Sequence, residues 1–287
     1  MMLPLPAIRA AGKLRGPHSG KYTALRMTID PANGPLAHLL FETLAYVAGF
    51  RLYLRERKLT RSAALRAHDA LWICAGAIVG AALGSKIVFW AQYPDFIYAH
   101  RTDPAVLLGG KTIVGGLLGG LLGVEITKSI RDVRQSTGDS FVLPLIAGIA
   151  LGRLGCFFAG VDDNTYGNPT TLPWGVLYPD GIARHPVALY EILFLVMLWI
   201  LITRVQARLA RPGDAFKLFI ASYLAFRFAI DFIKPPHYPS RTPLEEAIPA
   251  GHLYFHALTG IQLFCAAGLA YHARDLWRMS RERLWQK

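Results

Sequence analysis

Ionisable residues stand inside otherwise apolar stretches of the chain, among them Glu42, Lys86, Lys111, Arg153, Glu191, Arg227 and Asp231. A charged side chain at the centre of a membrane helix costs about 2.5 to 3.5 kcal/mol on insertion scales, so such residues either reach to an interface or line a site. Glu42 and Lys86, like Glu125, read as the first kind. Arg153 in "GIALGRLGCFFAG" and Arg227 in "AFRFAIDFI" have a turn or more of apolar sequence on at least one side. Arg227 and Asp231 are spaced i, i+4 and share a helix face, as a structural pair or a functional one. Glu191, in "RHPVALYE", reads as a first-turn carboxylate complementing a helix dipole. Two interior arginines with no excess of carboxylates beside them ask for an anion. At that depth the abundant anion is a phospholipid phosphate, which a guanidinium grips in bidentate fashion.

Candidates for proton chemistry lie nearby. Asp162 and Asp163 in "VDDNTYGNP" offer carboxylates, or simply form a solvated turn. In "GGKTIVGGLLGG", Lys111 precedes Val114 by three residues, near the same helix face; it is either a third cation for the anion or a snorkelling lysine. Gly115 and Gly116 in that run let a helix or a lipid approach the backbone closely. Cys74, Cys156 and Cys265 are odd in number, fall in apolar runs and lack metal-ligand spacing, so they read as small buried residues. Neither a metal nor an organic cofactor is expected.

The elements that hold these residues are membrane helices. The 287 residues are 53% hydrophobic and only 17% charged, against about 25% charged in ordinary soluble domains. Apolar runs of about 18 to 23 residues, long enough to cross a hydrocarbon core as helix, cover Pro35–Leu54, Ala70–Trp90, Ala105–Ile126, Phe141–Gly160, Val187–Thr203, Ala215–Ile233 and Tyr254–Ala273. The fold class is therefore all-α integral membrane, with seven transmembrane helices. Lysine and arginine crowd alternate connections (Arg55 to Arg66, Lys128 to Arg134, Arg204 to Arg211) and the C-terminal tail. That pattern puts the C-terminus in the cytoplasm and the N-terminus outside, against the weaker pull of a basic N-terminal tail. Residues 1–34 form an extension, 35–275 the membrane domain and 276–287 a basic tail. The net charge of +12 is spread along span flanks, facing lipid headgroups, and no nucleic-acid motif is present.

The stretch "GIALGRLGCFFAGVDDNTYGNPTTLPWGVLYP" and the following "RHPVALYE" resemble the prolipoprotein diacylglyceryl transferase family. The motif is kept at Gly152, Arg153, Gly155, Phe157, Gly160, Gly167, Pro173, Trp174, Gly175, Arg184, His185, Pro186, Leu189, Tyr190 and Glu191. "AFRFAIDFIKPP" resembles the family's penultimate-span motif at Arg227, with Asp231 in place of glutamate. The resemblance implies transfer of a diacylglyceryl group from phosphatidylglycerol to the thiol of a lipobox cysteine in a prolipoprotein signal peptide, in a bacterial inner membrane. Glycerol phosphate leaves. Arg153 and Arg227 match the family's essential arginines and would hold the phosphate, with Lys111, Gly115 and Gly116 around it; Gly155, Gly160, Gly167, Arg184, Tyr190 and Glu191 would shape the site. The sequence departs from the family at the proton-handling positions. Val114 replaces a histidine, Cys156 an asparagine, Val161 a glutamate and Glu42 a tyrosine. Asp162, Asp163 and Asp231 are the carboxylates able to take over the catalytic proton work. The alternatives are a paralogue with another acceptor and a non-catalytic protein that binds an anionic phospholipid.

Overall fold

The computed structural model describes residues 25–26, 34–59, 66–178, 181–235 and 252–284. It is built mainly of helices: α1 (Gly34–Leu59), α2 (Ala67–Gln92), α3 (Pro94–Ala99), α4 (Pro104–Leu108), α5 (Ile113–Ile130), α6 (Val142–Ala159), α7 (Val187–Val205), α8 (Asp214–Ile230) and α9 (Gly260–Leu284). Four described segments, His68–Gln92, Ile113–Ile130, Asp139–Ala159 and Val187–Arg208, are long and apolar enough to cross a membrane. The chain divides into two compact units. One takes in residues up to Leu52, Leu143–Trp199 and Ile233–Ala247; the other takes in Tyr53–Val142, Ile200–Phe232 and Ile248–Lys287.

In the first unit, α1 and α6 run antiparallel at small residues. A Cβ on Gly34 would meet the Ala159 backbone at 3.2 Å, one on Gly155 the Phe41 side chain at 3.0 Å and the His38 carbonyl at 3.3 Å, and one on Gly148 the Ala45 carbonyl at 3.7 Å. Such close approach is how membrane-type helices gain dispersion contacts without a hydrophobic drive. Phe41 stacks on Phe158 with ring centroids 5.4 Å apart. Three short strands complete this unit: β1 (Leu25–Arg26) before α1, and β2 (Val176–Leu177) and β3 (Ala183–Arg184) after α6. β1 pairs parallel with β2 at Leu25↔Val176, and β2 pairs antiparallel with β3 at Val176↔Arg184.

In the second unit, α2 and α5 also run antiparallel, through a ridge of glycines. Gly76, Gly80 and Gly84 face Gly123, Gly119 and Gly115, and a Cβ on any of the six would fall closer than 3.0 Å to the opposite helix. α8 and α9 pack beside each other around Phe219, Ile220, Tyr223, Leu224 and Cys265, all buried. Asp139 caps α8 from a distant part of the chain, its carboxylate accepting from Gly213 N at 2.6 Å and Phe216 N at 3.0 Å. A carboxylate there answers both the unpaired N–H groups and the positive helix end. At the same end of the pair, Arg278 reaches the buried Asp214 at 2.6 Å and Lys217 reaches Asp275 at 2.8 Å. Arg278, one of the basic residues near the C-terminus, thus has protein partners.

Two expected spans are corrected. The run Ala105–Ile126 is broken: α4 ends at Leu108, residues 109–112 are irregular, and α5 begins at Ile113. Gly110 sits at φ +57°, where a β-carbon is unfavourable, and the Phe89 ring occupies the space one would need. The last helix starts at Gly260 instead of Tyr254, because β4 (Leu253–Tyr254) and β5 (Leu258–Thr259) form a hairpin turned by Phe255 and His256 at φ +55° and +57°.

Candidate functional site

Arg153 projects from the penultimate turn of α6 and is 9% exposed; Glu191, on α7, is fully buried. Arg153 Nε lies 2.9 Å from Glu191 Oε2. Arg153 Nη1 also donates to Cys156 Sγ at 3.7 Å, one turn along the same helix. The expectation for Glu191 is thereby corrected. α7 begins at Val187, so Glu191 lies in its second turn and answers a buried guanidinium, not a helix dipole. Each interior arginine has one carboxylate partner: Glu191 for Arg153, and for Arg227 the Asp231 that i, i+4 spacing placed on its face.

The motif residues after α6 build the wall of this first unit. Gly160 ends α6 at φ +67°, the left-handed conformation that terminates helices at glycine. Arg184 is 5% exposed and lies over the Tyr166 ring, 4.7 Å from its centroid, with Tyr178 at 5.8 Å. Gly167 donates its N–H to the His185 carbonyl at 2.9 Å, and a Cβ on it would meet the His185 Cβ at 2.7 Å. Tyr190 Oη accepts from Trp174 Nε1 at 2.9 Å and lies 3.1 Å from His185 Nδ1. His185 therefore belongs to a Trp–Tyr–His contact rather than standing as an available base.

Of the carboxylates expected to handle protons, the Asp162 side chain lies outside the described residues. Asp163, in the turn after α6, has its Oδ1 3.4 Å from His38 Nδ1 on α1. A ring nitrogen of His38, Cys156 Sγ and an Asp163 oxygen lie within 4.8 Å of one another. Glu42, one turn from His38, brings Oε2 to 3.9 Å from His38 Nε2, and accepts from Tyr46 Oη at 3.1 Å. His38 is the participant that reading the sequence missed. The signal was present: His38 and Glu42 are polar residues spaced i, i+4 on one face of an otherwise largely apolar helix.

In the second unit Arg227 and Asp231 pair, Nη2 to Oδ1 at 3.6 Å, with side chains 5% and 4% exposed. Asp231 lies just past the end of α8, in a short 3-10 turn. Its Oδ2 accepts from Thr259 Oγ1 at 2.7 Å, and Gln262 ties the hairpin to α8 through Thr259 N at 2.9 Å and the Phe228 carbonyl at 3.1 Å. Burial and the neighbouring Asp231 carboxylate push the Tyr93 phenol up to about 12, so it stays a protonated donor. With both oxygens engaged, Asp231 positions Arg227.

The glycine run resolves differently from expectation. Lys111 is exposed and precedes α5, so it does not share a helix face with Val114. Val114 is 2% exposed, within the apolar interior. Gly115 faces the Gly84 backbone, which takes the approach the sequence left open to helix or lipid; Gly116 looks elsewhere, its nearest neighbour the Ala81 carbonyl at 4.0 Å. Lys86 is not a snorkelling lysine. Its Nζ donates to the carbonyls of Leu108, Gly109 (2.6 Å) and Gly110 (2.7 Å), closing the end of α4.

The described residues thus form a helical protein with membrane-length apolar segments and a buried guanidinium–carboxylate pair in each unit. Comparison with known proteins narrows this. The family profile described as prolipoprotein diacylglyceryl transferase matches residues 39–273. The phosphatidylglycerol–prolipoprotein diacylglyceryl transferase of Geobacter sulfurreducens is 33% identical over 219 residues, covering 72% of this chain and 83% of that protein. The proteins of the same name from Nitratidesulfovibrio vulgaris and Bordetella parapertussis are 34% and 31% identical, covering 74% and 83% of those proteins. The chain belongs to the prolipoprotein diacylglyceryl transferase family.

Proposed function

We propose that this chain transfers the diacylglyceryl group of phosphatidylglycerol to the cysteine thiol of a prolipoprotein signal peptide. The acceptor sulfur attacks the glyceryl carbon that carries the phosphate. The carbon–oxygen bond breaks, a thioether forms, and the thiol proton ends on the released glycerol phosphate or on solvent. Charge builds on the departing phosphate, so fixed cations beside it lower the barrier. The observation that carries this reading is that both motif arginines, Arg153 and Arg227, are buried and each is held by a carboxylate. Arg153 binds the phosphate and the group around Asp163, in the same unit, activates the thiol, while in the other unit Asp231 orients Arg227. The chain sits in a bacterial inner membrane through seven helices, N-terminus outside, so that the acceptor arrives from the outer side.

The test is direct. Purified protein is incubated with radiolabelled phosphatidylglycerol and a lipobox peptide, beside Arg153→Ala and Arg227→Ala. Lipidated peptide with the wild type and none with either variant supports the reading. Phosphatidylglycerol bound in an Arg153-dependent way with no label transferred would sink it in favour of a lipid-binding protein.

A further inference from the structure

His38, Cys156 and Asp163 come from two helices and the turn between α6 and β2, yet their ligand-capable atoms converge within 4.8 Å. The convergence is built. Gly155, beside Cys156, brings α6 against the backbone of His38 itself. His38 Nδ1 and Asp163 Oδ2 are buried without a hydrogen-bond partner, a costly state for polar atoms unless something else satisfies them. The 3.4 Å between His38 Nδ1 and Asp163 Oδ1 is long for a charged hydrogen bond. It equals the roughly 3.4 Å that separates a nitrogen and an oxygen ligand across a tetrahedral zinc ion, given bonds of about 2.0 to 2.2 Å. Closing the sulfur onto the same centre requires a shift of about 1 Å from the widest spacing present.

We propose that His38 Nδ1, Cys156 Sγ and the Asp163 carboxylate bind a divalent zinc-class cation, and that its fourth position receives the acceptor thiol. Softness selects the ion. A thiolate with an imidazole suits zinc, whereas magnesium and calcium take oxygen. Three protein ligands with one open position is the arrangement of reactive zinc sites, in contrast to closed structural ones. The surroundings fit too. A zinc-bound histidine commonly donates its other ring N–H to a carboxylate, and Glu42 stands 3.9 Å from His38 Nε2. Arg153 donates to Cys156 Sγ at 3.7 Å, a contact that a metal-bound thiolate would keep. An incoming thiol displaces a bound water and gives its proton to solvent, leaving a metal-bound thiolate as the nucleophile. This deepens the transfer reading and rests on it for the identity of the acceptor. It replaces the expectation of a metal-free protein.

The experiment uses the full chain in detergent, purified without a polyhistidine tag, its metal content measured after dialysis and again after loading with cobalt. One zinc per chain is expected, and cobalt should give intense tetrahedral ligand-field bands with a thiolate-to-metal charge-transfer band. That band should vanish in Cys156→Ser, survive in Cys74→Ser and Cys265→Ser, and intensify when a lipobox peptide adds a second thiolate. Glu42→Gln should weaken the metal about 10- to 100-fold while leaving the ligands in place. Substoichiometric metal, or a charge-transfer band that survives Cys156→Ser, overturns the proposal. So does undiminished lipid transfer by zinc-stripped protein, an outcome that leaves the transfer reading standing. Stoichiometric, Cys156-dependent metal with no transfer upholds the site and sinks the transfer reading instead.

Discussion

Replacing Gly115 by alanine separates two uses of the glycine-rich run. A Cβ at Gly115 falls 2.6 Å from Thr112 Oγ1 and 2.8 Å from the Gly84 carbonyl carbon, and nearer still to the Gly84 oxygen. Non-bonded heavy atoms settle at roughly 3.5 Å or more, so α2 and α5 must part by about 1 Å. Overpacking of this kind costs about 1 to 3 kcal/mol. At Gly116 the nearest neighbour is 4.0 Å away, so alanine there fits and gains up to about 1 kcal/mol of helix propensity. In thermal unfolding in detergent, where about 1 kcal/mol moves the midpoint of a chain this size by roughly 2 to 4 °C, Gly115→Ala should melt several degrees below wild type and Gly116→Ala at or above it. Phosphatidylglycerol affinity per folded molecule should be the same in both. Equal melting of the two variants, with phosphatidylglycerol binding lost only in Gly115→Ala, would refute the packing argument and return Gly115 to the lipid.

Three further outcomes are expected. Asp231→Asn keeps an acceptor for Thr259 but removes the charge facing Arg227; it should cost about 3 kcal/mol, the low end for breaking a buried pair, since the groups are 3.6 Å apart, read as a lowered melting midpoint. Lys86→Met removes the donor for the carbonyls at 108–110, so amide exchange should quicken at Gly110–Val114 and stay unchanged in α8. Burial pulls the Asp275 carboxyl upward, but Lys217 and Arg278 outweigh it and hold the group below the ordinary aspartate value. Its contribution is therefore fully present above the unfolded value of about 3.9 and is lost as pH falls through the lower folded value. The wild-type midpoint should drop as pH is lowered below about 4, and the drop should be shallower in Asp275→Asn.

Much of this was legible in the chain. Apolar runs marked out α2, α6 and α7 to within a few residues, because a membrane-length helix announces itself by hydropathy alone. The Arg227–Asp231 pair followed from i, i+4 spacing. The partner of Arg153 did not, since Glu191 lies 38 residues away on another helix and only packing brings them together. The same holds for His38. Cys156 and Glu42 lie 114 residues apart in the sequence, yet both lie around the His38 ring. The break at 109–112 was missed because glycine raises no hydropathy alarm: a run can be apolar throughout and still refuse to stay helical.

The glycine ridge carries one more consequence. Gly76, Gly80 and Gly84 recur every four residues, as do Gly115, Gly119 and Gly123 on the antiparallel partner. Sliding one helix past the other by four residues would still mate two of the three glycine pairs. The ridge therefore dictates how near the helices come and leaves their longitudinal register almost degenerate. What breaks the degeneracy is polar and sits at both ends: Ser85 and Thr112 exchange three hydrogen bonds of 2.8 to 3.1 Å beside Lys86, and at the far end Arg131 reaches Asp69 at 2.9 Å. A slipped pair would be almost as tight and would differ by losing those few bonds, so Ser85–Thr112 and Arg131–Asp69 act as the index marks by which this part of the chain finds its alignment.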